Sequence, residues 1–132
     1  MRRIVTSFVL LCCISCFAQD VVGSPTIRGA YTLRSVNGAS PPATLSTSGT
    51  TKTEVLDDVI TLNTGSTWMQ EAHMRVTTNG QVTTATVINN GNFFTQATAI
   101  FIHLNAGGDR VGQINGNDLV FTENGVTTIY TK

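Results

Sequence analysis

After Cys16 the chain has no cysteine, so no disulfide can staple the remaining 116 of its 132 residues, and any fold must be held by its own core. Charge is also sparse. Only 12% of residues are Asp, Glu, Lys or Arg, and they sum to zero. Without its first eighteen residues the chain would lose Arg2 and Arg3, leaving 6 basic residues against 8 acidic ones, a net charge of about −2. No run of basic residues occurs, which excludes an electrostatic footprint for nucleic acid or an anionic membrane surface. Aromatic residues make up 7% and proline is rare, with three in all. Beyond the first twenty residues no segment repeats its apolar side chains at helical spacing. What the chain does have is Thr, Val, Asn and Gly in abundance, a mixture that favours strands and tight turns. At 41% hydrophobic it is too apolar to read as disordered.

The beginning of the chain reads as a signal peptide over residues 1–18. Arg2-Arg3 is its basic start, Ile4 to Ile14 its apolar centre, and Cys16-Phe17-Ala18 places small residues where a signal peptidase inspects them. The apolar stretch is short for a transmembrane helix, so no membrane span is expected in the mature protein. Cys13-Ile14-Ser15-Cys16 also resembles a lipobox, which would make Cys16 a lipid anchor, although Cys13 stands where leucine is usual. Residues 19–26 form a polar tether, and 27–132 one domain. The expected location is periplasmic or secreted.

The organising stretch is Thr67 to Ile88. Trp68, Ala72, Met74 and Val76 share one parity; Glu71, His73, Arg75 and Thr77 share the other. Successive strand residues face opposite ways, so this pattern makes one dry and one wet face. Asn79-Gly80 then supplies the two positive-φ residues of a type I′ hairpin. The same doublet recurs at Asn37-Gly38, Asn90-Gly91, Asn115-Gly116 and Asn124-Gly125. About nine extended segments follow: 27–36, 54–63, 67–78, 81–89, 92–96, 99–105, 110–114, 118–123 and 126–131. Residues 39–52, rich in Ser, Thr and Gly around Pro41-Pro42, read as a long irregular loop.

So many short antiparallel strands would leave two exposed edges in a flat sheet, and closure removes them. The expected fold is therefore all-β, an antiparallel up-and-down barrel of eight or nine strands. An outer-membrane barrel is excluded, because its lipid-facing row would carry Glu71, His73 and Arg75.

Gly29-Ala-Tyr31-Thr-Leu33-Arg-Ser-Val36-Asn-Gly38, the Asn63-Thr-Gly65 turn after Val59-Ile60-Thr61-Leu62, Gly116-Asn117-Asp118-Leu119-Val120-Phe121 and the closing Ile129-Tyr130-Thr131-Lys132 resemble the bacterial lipocalin-like domain proteins. The resemblance spans residues 27–132. It implies an exported calycin-type barrel with a pocket for a small apolar molecule. Tyr31 stands where true lipocalins carry Trp, and the domain has no disulfide, so the resemblance speaks to fold more than to transport.

Catalytic and metal chemistry find little support. Glu71 and His73 share a strand face, but His103 lies thirty residues away and no third ligand has a metal-binding spacing. Adjacent Asp57 and Asp58 would point to opposite faces, which rules out a paired acid and base. No nucleophile elbow or phosphate loop occurs. No enzyme activity, metal or cofactor is expected, and convergent polar groups inside the barrel are not foreseen. Tyr31, Leu33, Trp68, Met74, Val76, Phe94, Ile100, Ile102 and Phe121 are the expected interior residues, and they would line any ligand cavity. The parity of Phe93 against Phe94, and of Ile129 against Tyr130, is open. Two functions follow: a monomeric, non-catalytic binder of a small apolar or amphipathic ligand, with the 39–52 loop near its mouth, or an envelope structural or interaction protein with a solid core.

Overall fold

The computed structural model describes residues 26–132; the signal peptide, the Cys16 anchor and nearly all of the tether lie outside them. Nine strands follow one another: β1 (Gly29–Val36), β2 (Ala43–Ser48), β3 (Thr51–Leu62), β4 (Thr67–Thr78), β5 (Gln81–Gln96), β6 (Ala99–Leu104), β7 (Asp109–Asn115), β8 (Asp118–Glu123) and β9 (Val126–Thr131). Neighbours pair antiparallel in the order β1-β9-β8-β7-β6-β5-β4-β3-β2, and β1 also pairs with β3. That last ladder, Gly29 opposite Leu62 through Thr32 opposite Val59, closes eight strands into a barrel and leaves β2 outside the ring. The all-β, closed, antiparallel expectation therefore holds.

The closure uses only one half of β3. Its other half, Thr51 to Val55, pairs with β2 instead. Likewise β5 gives Gly91–Gln96 to β6, while Gln81 to Ile88 pair with β4 alone. A four-stranded flap thus projects from the ring, made of β2, the first half of β3, the second half of β4 and the first half of β5.

Three of the five Asn-Gly doublets make the turn they predict, and Asn37-Gly38, at φ of 48° and 83°, folds Ala39 back onto Val36. Asn79 and Gly80 have φ of 50° and 78°, Asn124 and Gly125 of 51° and 76°, the left-handed pair that type I′ demands. Two other doublets do not. Asn115 closes its turn opposite Asp118, so Gly116-Asn117 occupy the centre, with only Gly116 at positive φ (60°), the type II′ arrangement. Asn90-Gly91 is no turn at all. It lies inside the sixteen-residue β5, where Gly91 stands opposite Trp68.

The continuity of β5 also sets the two phenylalanines. With no turn at 90–91, period two runs unbroken from Gly91, so Phe93 points inward and is 7% exposed. Phe94 points outward at 61%. Phe94 therefore does not belong to the interior; it stacks on Phe101 on the outer wall, ring centroids 4.6 Å apart. At the other open pair Tyr130 is the buried member. Residues 39–52 are not one irregular loop. Its Ser/Thr-rich centre forms β2 and hairpins onto β3 through Gly49-Thr50, because Ala43 and Leu45 have a core to pack against.

The core fills the ring. Tyr31, Ile60, Leu62, Trp68, Ile100, Ile102, Leu119 and Phe121 are each at most 1% exposed, and Leu33 6%. Met74 packs against this cluster from the flap, partly buried, and Val76 lies farther out on the same face. A bulge at Leu56 shifts the β3 register, so Val55 rather than Leu56 takes the inward place beside Asp58, Ile60 and Leu62.

Candidate functional site

Three polar side chains sit in rows that are otherwise apolar. Asp58 precedes Ile60 and Leu62 on the inner face of β3, Gln70 lies between Trp68 and Ala72 on β4, and Tyr130 is the last buried residue of β9. The ring brings them together. Tyr130 Oη donates to Asp58 Oδ2 at 2.7 Å, Gln70 Nε2 donates to the same oxygen at 2.7 Å, and Asn89 Nδ2 donates to Gln70 Oε1 at 3.1 Å. Asp58 Oδ1 is buried and has no partner among the described residues. Burial raises the Asp58 pKa above the usual carboxylate range, against the two hydrogen bonds that favour the anion. Burial and the neighbouring Asp58 also push the Tyr130 phenol up. The Arg110 guanidinium stands 4.5 Å above the Phe121 ring and is held by both carboxylate oxygens of Glu123 at 3.0 and 3.1 Å.

Convergent polar groups inside the barrel thus exist, contrary to the expectation from sequence. The signal was present: a Gln in the dry row of β4 and an Asp in that of β3. Parity alone separates Asp58 from Asp57, and only the closed ring shows which groups Asp58 faces. The cluster is buried, with Asp58 5% and Gln70 8% exposed, so no substrate reaches it in this conformation. Its chemistry is to satisfy polar groups, all but one of them, and to tie β9 to the consecutive strands β3, β4 and β5.

The open volume lies elsewhere. At the barrel end where β1 begins and the β3–β4, β5–β6 and β7–β8 turns gather, a cleft of about 580 Å³ opens. Its apolar surface comes from Ile27, Phe93 and Ile114; Thr26, Arg28, Ser66, Thr95 and Thr98 supply polarity. The segment before β1 is drawn over this end by Tyr31 Oη, which donates to the Ile27 carbonyl at 2.6 Å, and by Lys132 Nζ, which donates to the carbonyls of Thr26 and Arg28. Phe93 N–H donates to Ser66 C=O at 2.8 Å and Ile114 N–H to Thr98 C=O at 2.7 Å, fixing the turns at the rim. None of the nine residues expected to line a cavity lines this cleft. Seven of them pack in or beside the core, Val76 lies half-buried farther out on the flap, and Phe94 faces solvent.

On the outer wall the wet row of β4 is a ladder of ions. His73 Nδ1 meets Asp57 Oδ1 at 2.5 Å, a contact that raises the His73 pKa. Arg75 Nε and Lys52 Nζ donate to Glu54 at 2.9 and 2.8 Å and hold its pKa down to about 2. Among the described residues no three His, Cys, Asp or Glu side chains converge as a metal site would require.

Fold and geometry together define a small closed antiparallel barrel with a filled axis and an open end cleft. No family model, curated protein or solved structure matches the chain.

Proposed function

We propose that this is an exported, lipocalin-like, non-catalytic binding module whose ligand is a small amphipathic molecule held at the barrel end, not along its axis. One observation carries the reading: the cleft of about 580 Å³ combines an apolar surface of Ile27, Phe93 and Ile114 with the guanidinium of Arg28. That volume falls within the range of about 300–1,000 Å³ typical of small-molecule sites. An apolar tail would bury against Phe93 and Ile114, at roughly 25 cal/mol per Å², and an acidic head would pair with Arg28. The test is a titration of the protein with a fluorescent fatty-acid probe. Saturable binding is expected, abolished by Ile114→Asp and weakened several-fold by Arg28→Gln. Equal binding by both variants would place the ligand somewhere else.

A second reading has its own support. The ring interior is packed to 0–1% exposure at eight large side chains, which suits an envelope interaction protein working through its surface. Absence of any saturable probe binding would favour it.

A further inference from the structure

The two outer edges of the flap are unlike each other. β2 is six residues long, its register shifts between Thr44 and Ser46, and Pro41-Pro42 precede it. Short length, a bulge and nearby proline are the usual protections of a sheet edge. The opposite edge, Gln81 to Asn89 of β5, has none of them. Its register with β4 runs from Gln81 opposite Thr78 to Asn92 opposite Thr67 without a shift, and Gln-Val-Thr-Thr-Ala-Thr-Val-Ile-Asn contains no charge and no proline. Every residue from Gln81 to Ile88 is exposed, with Val82 and Ile88 at 61%. Among the described residues no strand pairs with the outer side of this segment.

The direction of its backbone groups follows from both ends. Gln81 closes the hairpin with Thr78, so its N–H and C=O point to β4. Asn90 C=O accepts from Asn105 N–H, on the far side. Between them the alternation turns Val82, Thr84, Thr86 and Ile88 outward, with their donors and acceptors unpaired.

We propose that this edge pairs antiparallel with the same edge of a second copy of the chain, joining two barrels through one continuous sheet about a two-fold axis at Ala85. The occupant is a second copy because the strand is complementary to itself in that register. Val82 then lies opposite Ile88 of the other copy, so the two most exposed aliphatic residues of the strand cover each other. Thr84 lies opposite Thr86, a favourable cross-strand pair, and Thr83 opposite Val87 on the other face. No like charges meet along the strand. The four outward residues of each copy would exchange about eight N–H···O=C bonds, in the manner of strand addition to an open sheet. The sequence read as a monomer; the unprotected edge points to a pair.

Sedimentation of the full-length protein from about 1 to 100 µM, the span over which a micromolar equilibrium shows both species, tests this. A monomer–dimer equilibrium is expected for the natural chain. Thr84→Pro removes one outward N–H and no bond to β4, so it is expected to be monomeric at 100 µM with an unchanged circular dichroism spectrum. If that variant does not fold, a second pair decides. Thr84→Lys with Thr86→Lys brings like charges together and is expected to stay monomeric, while Thr84→Lys with Thr86→Glu is expected to dimerise. A natural chain that is monomeric throughout overturns the proposal. So does a folded Thr84→Pro dimer, or an identical state for the two double variants. A monomer that instead binds a different protein through this edge overturns the choice of partner. The outcome is independent of ligand binding at the end cleft.

Discussion

Gly91 shows how much one hydrogen in place of a methyl group can decide. A Cβ added there would sit 1.8 Å from the backbone oxygen of His103 and 3.0 Å from the Trp68 indole nitrogen. That oxygen also accepts the indole N–H at 3.0 Å. Alanine at 91 would have to push β6 away from β5 and break the bond that fixes the largest core side chain. Overpacking against rigid backbone costs about 1–3 kcal/mol, and losing the buried indole bond adds roughly 1 kcal/mol. Gly91→Ala is expected to lower the urea-unfolding free energy by about 3 kcal/mol; a loss below 1 kcal/mol would show that β6 yields easily. The glycine is legible in the sequence, its purpose is not. The doublet Asn79-Gly80 makes a turn and Asn90-Gly91 makes room for an indole, and only the partner across the sheet separates the two. The same holds for Phe93 and Phe94, identical neighbours whose fates differ by one step of register.

Among the elements, β5 carries the largest contrast. One half is a wall of the ring, the other a flap strand bonded on one side. Native-state amide exchange should resolve this residue by residue. In dilute protein, Thr83, Ala85 and Val87, whose N–H groups face β4, are expected to exchange slowly, and Val82, Thr84, Thr86 and Ile88 quickly. Uniform protection in dilute protein would contradict the alternation. Most of this strand was readable as extended, because its Thr/Val content suits a pleated surface. Its continuity was not, since a turn signal stands in the middle. The missed strand β2 has the opposite cause: its Ser, Thr and Gly look like a loop, and it becomes a strand only because β3 offers a ladder and Val36 and Val55 a floor for Ala43.

For the molecule as a whole, two carboxylates set opposing trends with pH. Glu54 has its folded pKa lowered to about 2 by Arg75 and Lys52, so its contribution is present above the unfolded value near 4.5 and is lost as pH falls toward 2. Asp58 is raised, so the folded state takes up a proton more readily than the unfolded one. Between 3.8 and its folded value, stability therefore declines as pH rises. Above that window the buried anion, with Oδ1 unpartnered, remains a standing cost. Asp58→Asn keeps an acceptor for Tyr130 and Gln70 and removes the charge. At pH 7 it is expected to raise the unfolding free energy by about 1 kcal/mol, and to remove the part of the decline above pH 3.8 that Asp58 causes. A variant less stable than the parent at pH 7 would show that the anion is needed.

The ring is sewn shut by β1, which lies between the last strand and the third. Its seam brings the two ends of the barrel's chain to one rim, where the Lys132 amine holds the Thr26 carbonyl at 2.7 Å. A polypeptide opened at the exposed Gly107-Gly108 turn and rejoined from Lys132 to Thr26 by a few glycines would lose none of the barrel's ladders. The same eight strands would close the same ring, threaded in a different order.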